Sequence, residues 1–174
     1  MLRLRPTLLS DLEFVISVER DACNLPFITP WDRTQHEAAV RIPDFRHFII
    51  EAGGGAAGDG FVILKGCRNR HKSVELKRIV LQPKGRGLGR ACVKLLKRMA
   101  FRDLHAHRFW LDVKSLNTRA LALYASEGFV EEGRLRESVR VSGDDRDGYD
   151  SLIVMSLLAR EYEARVATGL ELAG

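Results

Sequence analysis

The sequence predicts an α/β fold, in which a mixed and mostly antiparallel central sheet carries helices on both faces. Between residues 47 and 81, three apolar segments follow one another, which is typical of antiparallel strands. From residue 79 to residue 129, strands alternate with amphipathic helices, which is typical of a parallel strand pair. The 174 residues, 45% of them apolar, are enough for one core, and we expect residues 1–174 to form a single domain.

Capping patterns and prolines bound the elements at the start of the chain. Leu2–Arg5 is predicted to be a short strand. Ser10–Glu13 has the pattern of a capping box and opens a helix that runs to about Asp21. Thr34–Glu37 is a second such pattern, and its helix ends before Pro43 because the residue preceding a proline disfavours helical geometry.

Six further strands are predicted from runs of apolar and β-branched residues, each of which has turn-forming residues at its ends. Two helices are predicted between them, Arg90–Arg102 and a second from Asn117 to Gly128, where apolar residues recur at helical spacing. The strands are His47–Glu51, Phe61–Leu64, Val74–Leu81, His107–Lys114, Phe129–Val141 and Asp150–Leu157, of which the last two are expected to pair as a hairpin.

A glycine-rich segment, Lys84-Gly85-Arg86-Gly87-Leu88-Gly89, joins a predicted strand to the helix that starts at Arg90. This arrangement suits a pyrophosphate, because glycines let the backbone approach an anion and the first-turn N–H groups point at it. The segment lacks the Lys-Ser/Thr of a P-loop, and its spacing and mid-chain position differ from those of a dinucleotide-binding loop. Taken alone, it is equally compatible with a plain glycine turn.

A second motif, Asn117-x-x-Ala-x-x-Leu-Tyr-x-x-x-Gly-Phe129, follows the next strand. Asn117 is a good helix N-cap, and Gly128 can end the helix in a left-handed conformation. In this order and at this distance, the two motifs resemble those of the GNAT superfamily of N-acetyltransferases, over about residues 45–160. Segments at 132–137 and 148–158 are similar to the ribosomal-protein and spermidine N-acetyltransferase branches of that superfamily.

The resemblance implies a GNAT fold, in which two parallel strands splay apart and the first has a bulge near Val80–Leu81. It also implies acetyl-CoA as co-substrate and no metal. Tyr124 would be the general acid for the leaving thiolate, unless it is an ordinary core tyrosine. The residues implied to bind the cofactor are Ile79, Val80, Leu81, Lys84, Arg86, Gly87, Leu88, Gly89, Arg90, Ala91, Asn117 and Tyr124.

Glu75 is the candidate general base. The resemblance points to it because several superfamily members carry a catalytic glutamate on this strand, six residues before the position of Leu81. Strict alternation along the strand would place Glu75, Lys77, Ile79 and Leu81 on one face. The competing interpretation is a surface glutamate that is paired with a neighbouring lysine or arginine.

Composition excludes several classes of function. The net charge of +5 attracts anions, but the basic residues are spread along the chain without a nucleic-acid motif, so no nucleic-acid partner is expected. No apolar window is long enough for a membrane span, so no membrane partner is expected. Three cysteines without metal spacing predict reduced thiols and a cytoplasmic protein. His105 and His107 lack a further ligand nearby and do not predict a metal site.

The resemblance implies an acyltransferase that moves the acetyl group of acetyl-CoA to a primary amine by direct attack. The acceptor would be a protein N-terminus or a small-molecule amine, and acidic residues at 144, 145 and 147 could attract its positive charge. The alternative is a non-catalytic acyl-CoA-binding sensor on the same fold. A homodimer is compatible with the resemblance.

Overall fold

The computed structural model describes residues 2–53, 58–82, 87–141 and 148–171. The described strands are β1 (Arg3–Pro6), β2 (Phe45–Glu51), β3 (Gly60–Lys65), β4 (Ser73–Leu81), β5 (Arg108–Lys114), β6 (Val130–Val141) and β7 (Gly148–Leu158). The described α-helices are α1 (Leu12–Glu19), α2 (Arg33–Arg41), α3 (Leu88–Arg98), α4 (Thr118–Ser126) and α5 (Ala159–Ala167). Among these residues, no helix is long and apolar enough to cross a membrane.

The seven strands form one sheet in the order β1-β2-β3-β4-β5-β7-β6. Every neighbouring pair is antiparallel except β4 and β5, which confirms the mixed, mostly antiparallel sheet. The parallel pair is joined over three positions, from Ser73 opposite Arg108 to Glu75 opposite Trp110. Beyond Glu75 the ladder between β4 and β5 ends, whereas β5 stays paired with β7 to Lys114. The two parallel strands therefore diverge, as the resemblance implied.

A β-bulge lies in β4 at Lys77. On β3, Ile63 is opposite Arg78 while Leu64 is opposite Leu76, so Lys77 is the extra residue. The predicted position near Val80–Leu81 was therefore wrong by about three residues. The reason is that a bulge is set by pairing with the neighbouring strand, and the residues of β4 alone do not encode it.

The bulge reverses which side chains of β4 face each side of the sheet. Leu76 before it and Ile79 after it contribute to the same core, although strict alternation would separate them. The predicted common face of Glu75 with Ile79 and Leu81 was wrong for this reason. Glu75 instead shares its face with Lys65, its partner on β3.

Helices cover both faces of the sheet, as predicted. On the face of α3, α4 and α5, a core forms around residues such as Val93, Leu96 and Tyr162. On the opposite face, α1 packs Leu12 and Val15 against β2, β3 and the end of β4. Val80 belongs to this second core.

Several helix boundaries differ from the prediction. The box that opens α2 is formed by Asp32 and Gln35, which exchange bonds of 2.8 and 2.9 Å, and not by Thr34 and Glu37. Before α1, Asp11 accepts from the backbone N–H of Leu8 at 2.7 Å, in place of the predicted pair of Ser10 and Glu13. Several polar residues compete for each cap, and sequence does not decide between them. Helix α5 was not predicted.

A fully buried lysine connects three parts of the chain on the α3 face. Lys97 Nζ donates to the backbone oxygen of Glu127 at 2.9 Å and to its carboxylate at 2.8 Å. It also bonds the carboxylate of Glu171 near the end of the described chain. The same Glu127 carboxylate accepts from Arg90 at 2.5 Å, so the beginning of α3 is tied to the end of α4.

Candidate active site

A cavity of about 550 Å³ lies where β4 and β5 diverge. Within the sheet, the cavity is lined by the segments 76–79 of β4 and 111–114 of β5. On the α1–α2 side it is lined by residues 27–31 and Gln35, and on the α4 side by Asn117, Ala120 and Tyr124. The cavity therefore passes through the sheet, and its two ends have different chemistry.

Tyr124 lies at the α4 end of the cavity. Its side chain is 7% exposed, and its ring packs at 5.7 Å against Phe129. Burial raises the pKa of Tyr124 well above its usual range, because the phenolate would lose its hydration. The phenol is therefore a neutral proton donor at physiological pH.

Asn117 begins α4 and also lines the cavity. Its side-chain oxygen accepts from the backbone N–H of Ala120 at 3.2 Å, which is the N-cap predicted from the sequence. Because the oxygen is used for capping, the amide N–H₂ of Asn117 is the part that can donate to a ligand.

The glycine-rich segment leads into α3, as predicted. Gly87 is the N-cap residue and has a left-handed backbone, with φ +74°. The N–H groups of Leu88, Gly89 and Arg90 precede the first bond within the helix, from Ala91 N to Gly87 O. A Cβ on Gly89 would lie in ordinary contact with Leu123, at 3.4 Å, so Gly89 is at the junction of α3 and α4. Lys84 and Arg86 lie outside the described residues.

The other predicted residues of β4 are divided between the two faces. Ile79 lines the cavity, and Leu81 lies beside the start of α3, 3.8 Å from the position of a side chain on Gly89. Val80 faces the opposite core. Glu75 does not line the cavity, and its carboxylate is 3.2 Å from Lys77 Nζ. The competing interpretation predicted this pairing, but it placed the glutamate at the surface, whereas Glu75 is buried.

Asp112 is a site residue that sequence reasoning did not identify. It lies on β5 between buried Leu111 and Val113, and it is the carboxylate that lines the cavity among the described residues. It is half-buried, and its charge acts on Arg78 across the cavity. A charged residue inside an otherwise apolar strand, five residues before the capping Asn117, is the signal that could have identified it.

Arg78 is the second unpredicted residue of the cavity. Its guanidinium bonds the fully buried carboxylate of Glu19 and the backbone oxygen of Thr29, the latter at 3.0 Å. It also lies over the ring of Trp31, at 5.1 Å from the centroid. Burial lowers the pKa of Arg78 to about 10, which still leaves the guanidinium charged at neutral pH.

Residues 12–129 match the model of the acetyltransferase (GNAT) family. The chain is 27% identical to the spermidine N(1)-acetyltransferase of Escherichia coli over 178 aligned positions, covering 95% of this chain and 90% of the relative. It is 30% identical to YdaF of Bacillus subtilis, provisionally named a ribosomal N-acetyltransferase, covering 70% of this chain and 69% of the relative. The crystal structure of spermidine N-acetyltransferase from Vibrio cholerae in complex with CoA and spermine superposes with a TM-score of 0.80 at 26% identity, over 93% of this chain and 98% of that one.

Proposed function

This chain belongs to the GNAT family of acetyltransferases and transfers an acetyl group from acetyl-CoA to an amine, and we propose that the cavity between β4 and β5 is where it does so. The observation that carries the proposal is that the cavity passes through the sheet. A neutral phenol lies at one end of it and a carboxylate lines its wall. Acyl transfer to an amine needs a proton donor for the leaving group and a proton acceptor for the nucleophile.

We infer that acetyl-CoA is held on the α4 side. The first-turn N–H groups of α3 and the left-handed Gly87 suit its pyrophosphate. Lys84, Arg86 and Arg90 add positive charge to the same loop, and the guanidinium of Arg90 is oriented by Glu127. Ile79, Leu81 and the Asn117 amide are placed along the route from this loop to Tyr124, where the backbone of residues 79–81 can meet the pantetheine arm.

We expect Gly87→Ala to weaken acetyl-CoA binding several-fold. A left-handed backbone costs a residue with a side chain about 1–2 kcal/mol, so the helix start shifts or the loop is destabilised. Isothermal titration calorimetry measures the change in Kd. Gly133→Ala is the control, because Gly133 has no positive φ and its added side chain meets nothing within 4 Å. An unchanged Kd in Gly87→Ala would contradict the assigned loop.

In the proposed reaction, acetyl-CoA supplies the thioester, and two residues of the chain move the protons. Asp112 binds the acceptor ammonium and takes its proton, which leaves a neutral amine to attack the thioester carbonyl. Tyr124 then donates the proton that the leaving thiolate needs. The attached nitrogen loses its second proton, which restores the phenol of Tyr124, and Asp112 releases the proton that it took from the ammonium to solvent. We assign the base to Asp112 rather than to Glu75, because Glu75 is paired with Lys77 outside the cavity lining.

The proposal leaves the acceptor as a primary amine, either a small molecule such as a polyamine or a protein N-terminus. It includes the cytoplasm as the compartment, since Cys23, Cys67 and Cys92 are all free thiols. We also propose that residues 1–174 form one catalytic domain and that the protein is a homodimer. The acidic residues 144, 145 and 147 lie outside the described residues.

The test is CoA release by the purified protein with a panel of amines, in wild type and in Asp112→Asn. We expect Asp112→Asn to lower kcat/KM for the acceptor by about 10²- to 10⁴-fold, because the amide cannot take the proton. Asp103→Asn is the control, since Asp103 is exposed and does not line the cavity. Acetyl-CoA binding without release on any amine would favour the sensor alternative.

A further inference from the structure

Arg78 offers hydrogen-bond donors to the cavity and is held rigidly. Of its five N–H groups, one is directed at Glu19 and one at the backbone oxygen of Thr29, and the guanidinium is stacked over Trp31. The side chain is 8% exposed, and the residue lines the cavity with its remaining donors available. A planar fork in this setting is suited to binding a carboxylate or carbonyl oxygen.

The position of Arg78 is fixed from behind by a chain of buried polar groups. Glu19 accepts from His36 Nε2 at 3.0 Å and from the backbone N–H of Trp31 at 2.9 Å, besides Arg78. His36 Nδ1 lies 3.2 Å from His47 Nε2. Burial lowers the pKa of His36 to about 4 and of His47 to about 3, so both rings are neutral at pH 7.

Because both rings are neutral, the hydrogen bonds between these buried groups can run in one direction only. His36 must donate from Nε2 to the Glu19 carboxylate, so its Nδ1 accepts from His47 Nε2. His47 Nδ1 then accepts from the hydroxyl of Thr7 at 2.9 Å. Glu19 thus accepts from three donors and is fully buried. It acts as the anchor of Arg78 and not as a binding site for a cation.

Among the charged side chains that line the cavity in the described residues, basic groups outnumber carboxylates. Lys77, Arg78 and Lys114 line it, and the carboxylate that lines it among the described residues is Asp112. The side-chain oxygen of Asn117 is used for capping. A polyamine presents cationic donors only and would meet one carboxylate and three basic side chains. This set of charged side chains therefore does not suit a polyamine.

Resting on the proposed function, we propose that Arg78 determines acceptor specificity: Asp112 binds the amine while Arg78 binds an oxygen next to it. The acceptor class is therefore an α-amino group flanked by a carboxylate or carbonyl oxygen, as in a free amino acid or at the end of a peptide. The opposite charges of Asp112 and Arg78, which both line the cavity, complement those of such a group. Glu19 is the positioning residue for Arg78.

The first experiment uses the wild-type protein and matched acceptors. Leucine, leucinamide, leucyl-glycine and isopentylamine share a side chain and differ in the oxygen-bearing group, and corresponding sets cover other side chains. With saturating acetyl-CoA, we expect kcat/KM for the oxygen-bearing acceptors to exceed that of the bare amine by about 10- to 100-fold, the value of a charge-assisted hydrogen bond. The comparison of leucine with leucyl-glycine distinguishes the free amino acid from the peptide.

Higher kcat/KM with spermidine than with every oxygen-bearing acceptor would overturn this inference and leave the proposed function intact. Equal kcat/KM for the bare amine and for the matched oxygen-bearing acceptors would also overturn this inference and leave the proposed function intact. Binding of acetyl-CoA without release on any acceptor would contradict both.

Variants of Arg78 provide a second test. We expect Arg78→Lys to keep the charge beside Glu19 but to lose the fork, and Arg78→Leu to lose both. In each, the preference for the oxygen-bearing acceptor should fall to within about threefold, mainly through KM for the acceptor and not KM for acetyl-CoA. Arg41→Leu, at an exposed position of α2, is the control. A preference retained in folded Arg78→Lys and Arg78→Leu would overturn the assignment.

Discussion

Replacing Tyr124 by phenylalanine is expected to lower kcat by about 10²- to 10⁴-fold, with little change in the affinity for acetyl-CoA. The ring would keep its packing against Phe129, and only the proton donor would be removed. Without that donor, the thiolate has to leave unprotonated or take its proton from water. Steady-state rates of CoA release and calorimetric Kd values for acetyl-CoA separate the two effects.

The pH dependence of Tyr124→Phe tests the same role. Because burial raises the pKa of Tyr124, the phenol keeps its proton to higher pH than an exposed tyrosine would. The wild-type rate should therefore show no loss from phenol ionisation up to about pH 10, the usual tyrosine value. Tyr162→Phe is the matched control, since Tyr162 is also buried but stacks on Phe101 and does not line the cavity. Unchanged kcat in Tyr124→Phe would remove Tyr124 as the acid.

Replacing Lys97 by methionine is expected to lower the free energy of unfolding by about 3–5 kcal/mol. The substitution has a similar volume, but it leaves the carboxylates of Glu127 and Glu171 buried without their shared cation. It also releases the backbone oxygen of Glu127. Chemical denaturation of the wild type and the variant measures the difference.

Arg98→Met provides the control for Lys97→Met. Arg98 is the next residue of α3 and is exposed, so its loss should change stability by less than about 0.5 kcal/mol. A loss below about 1 kcal/mol in Lys97→Met would mean that the lysine network contributes little. Since Arg90 bonds the same Glu127, we also expect weaker acetyl-CoA binding in Lys97→Met.

Sequence patterns predicted the elements and their order well, because local signals determine them. The motif at Asn117 predicted both the cap and the buried Tyr124, and the glycine-rich segment predicted the start of α3. Details that depend on a neighbouring strand were missed. The bulge at Lys77 is defined by pairing with β3, and it removed Glu75 from the face of Ile79.

Most of the acceptor side of the site could not be predicted. Asp112 and Arg78 are charged residues inside two different strands, and only the divergence of β4 and β5 turns them toward a common cavity. Glu19 lies 59 positions from Arg78 in the chain, so no local pattern connects them. Contacts of this separation are formed by the tertiary structure, whereas the phosphate loop and the cap are contiguous in sequence.

Residues from both faces of the sheet line the cavity, so the proposed arrangement puts the two substrates on opposite sides of the sheet. In the proposed arrangement, acetyl-CoA arrives beside α3 and α4, and the amine arrives past residues 27–31. Neither substrate then lies in the path of the other, and each product can leave on the side where its substrate was bound. In this arrangement neither substrate crosses the site of the other, so we expect steady-state kinetics without a compulsory order of binding.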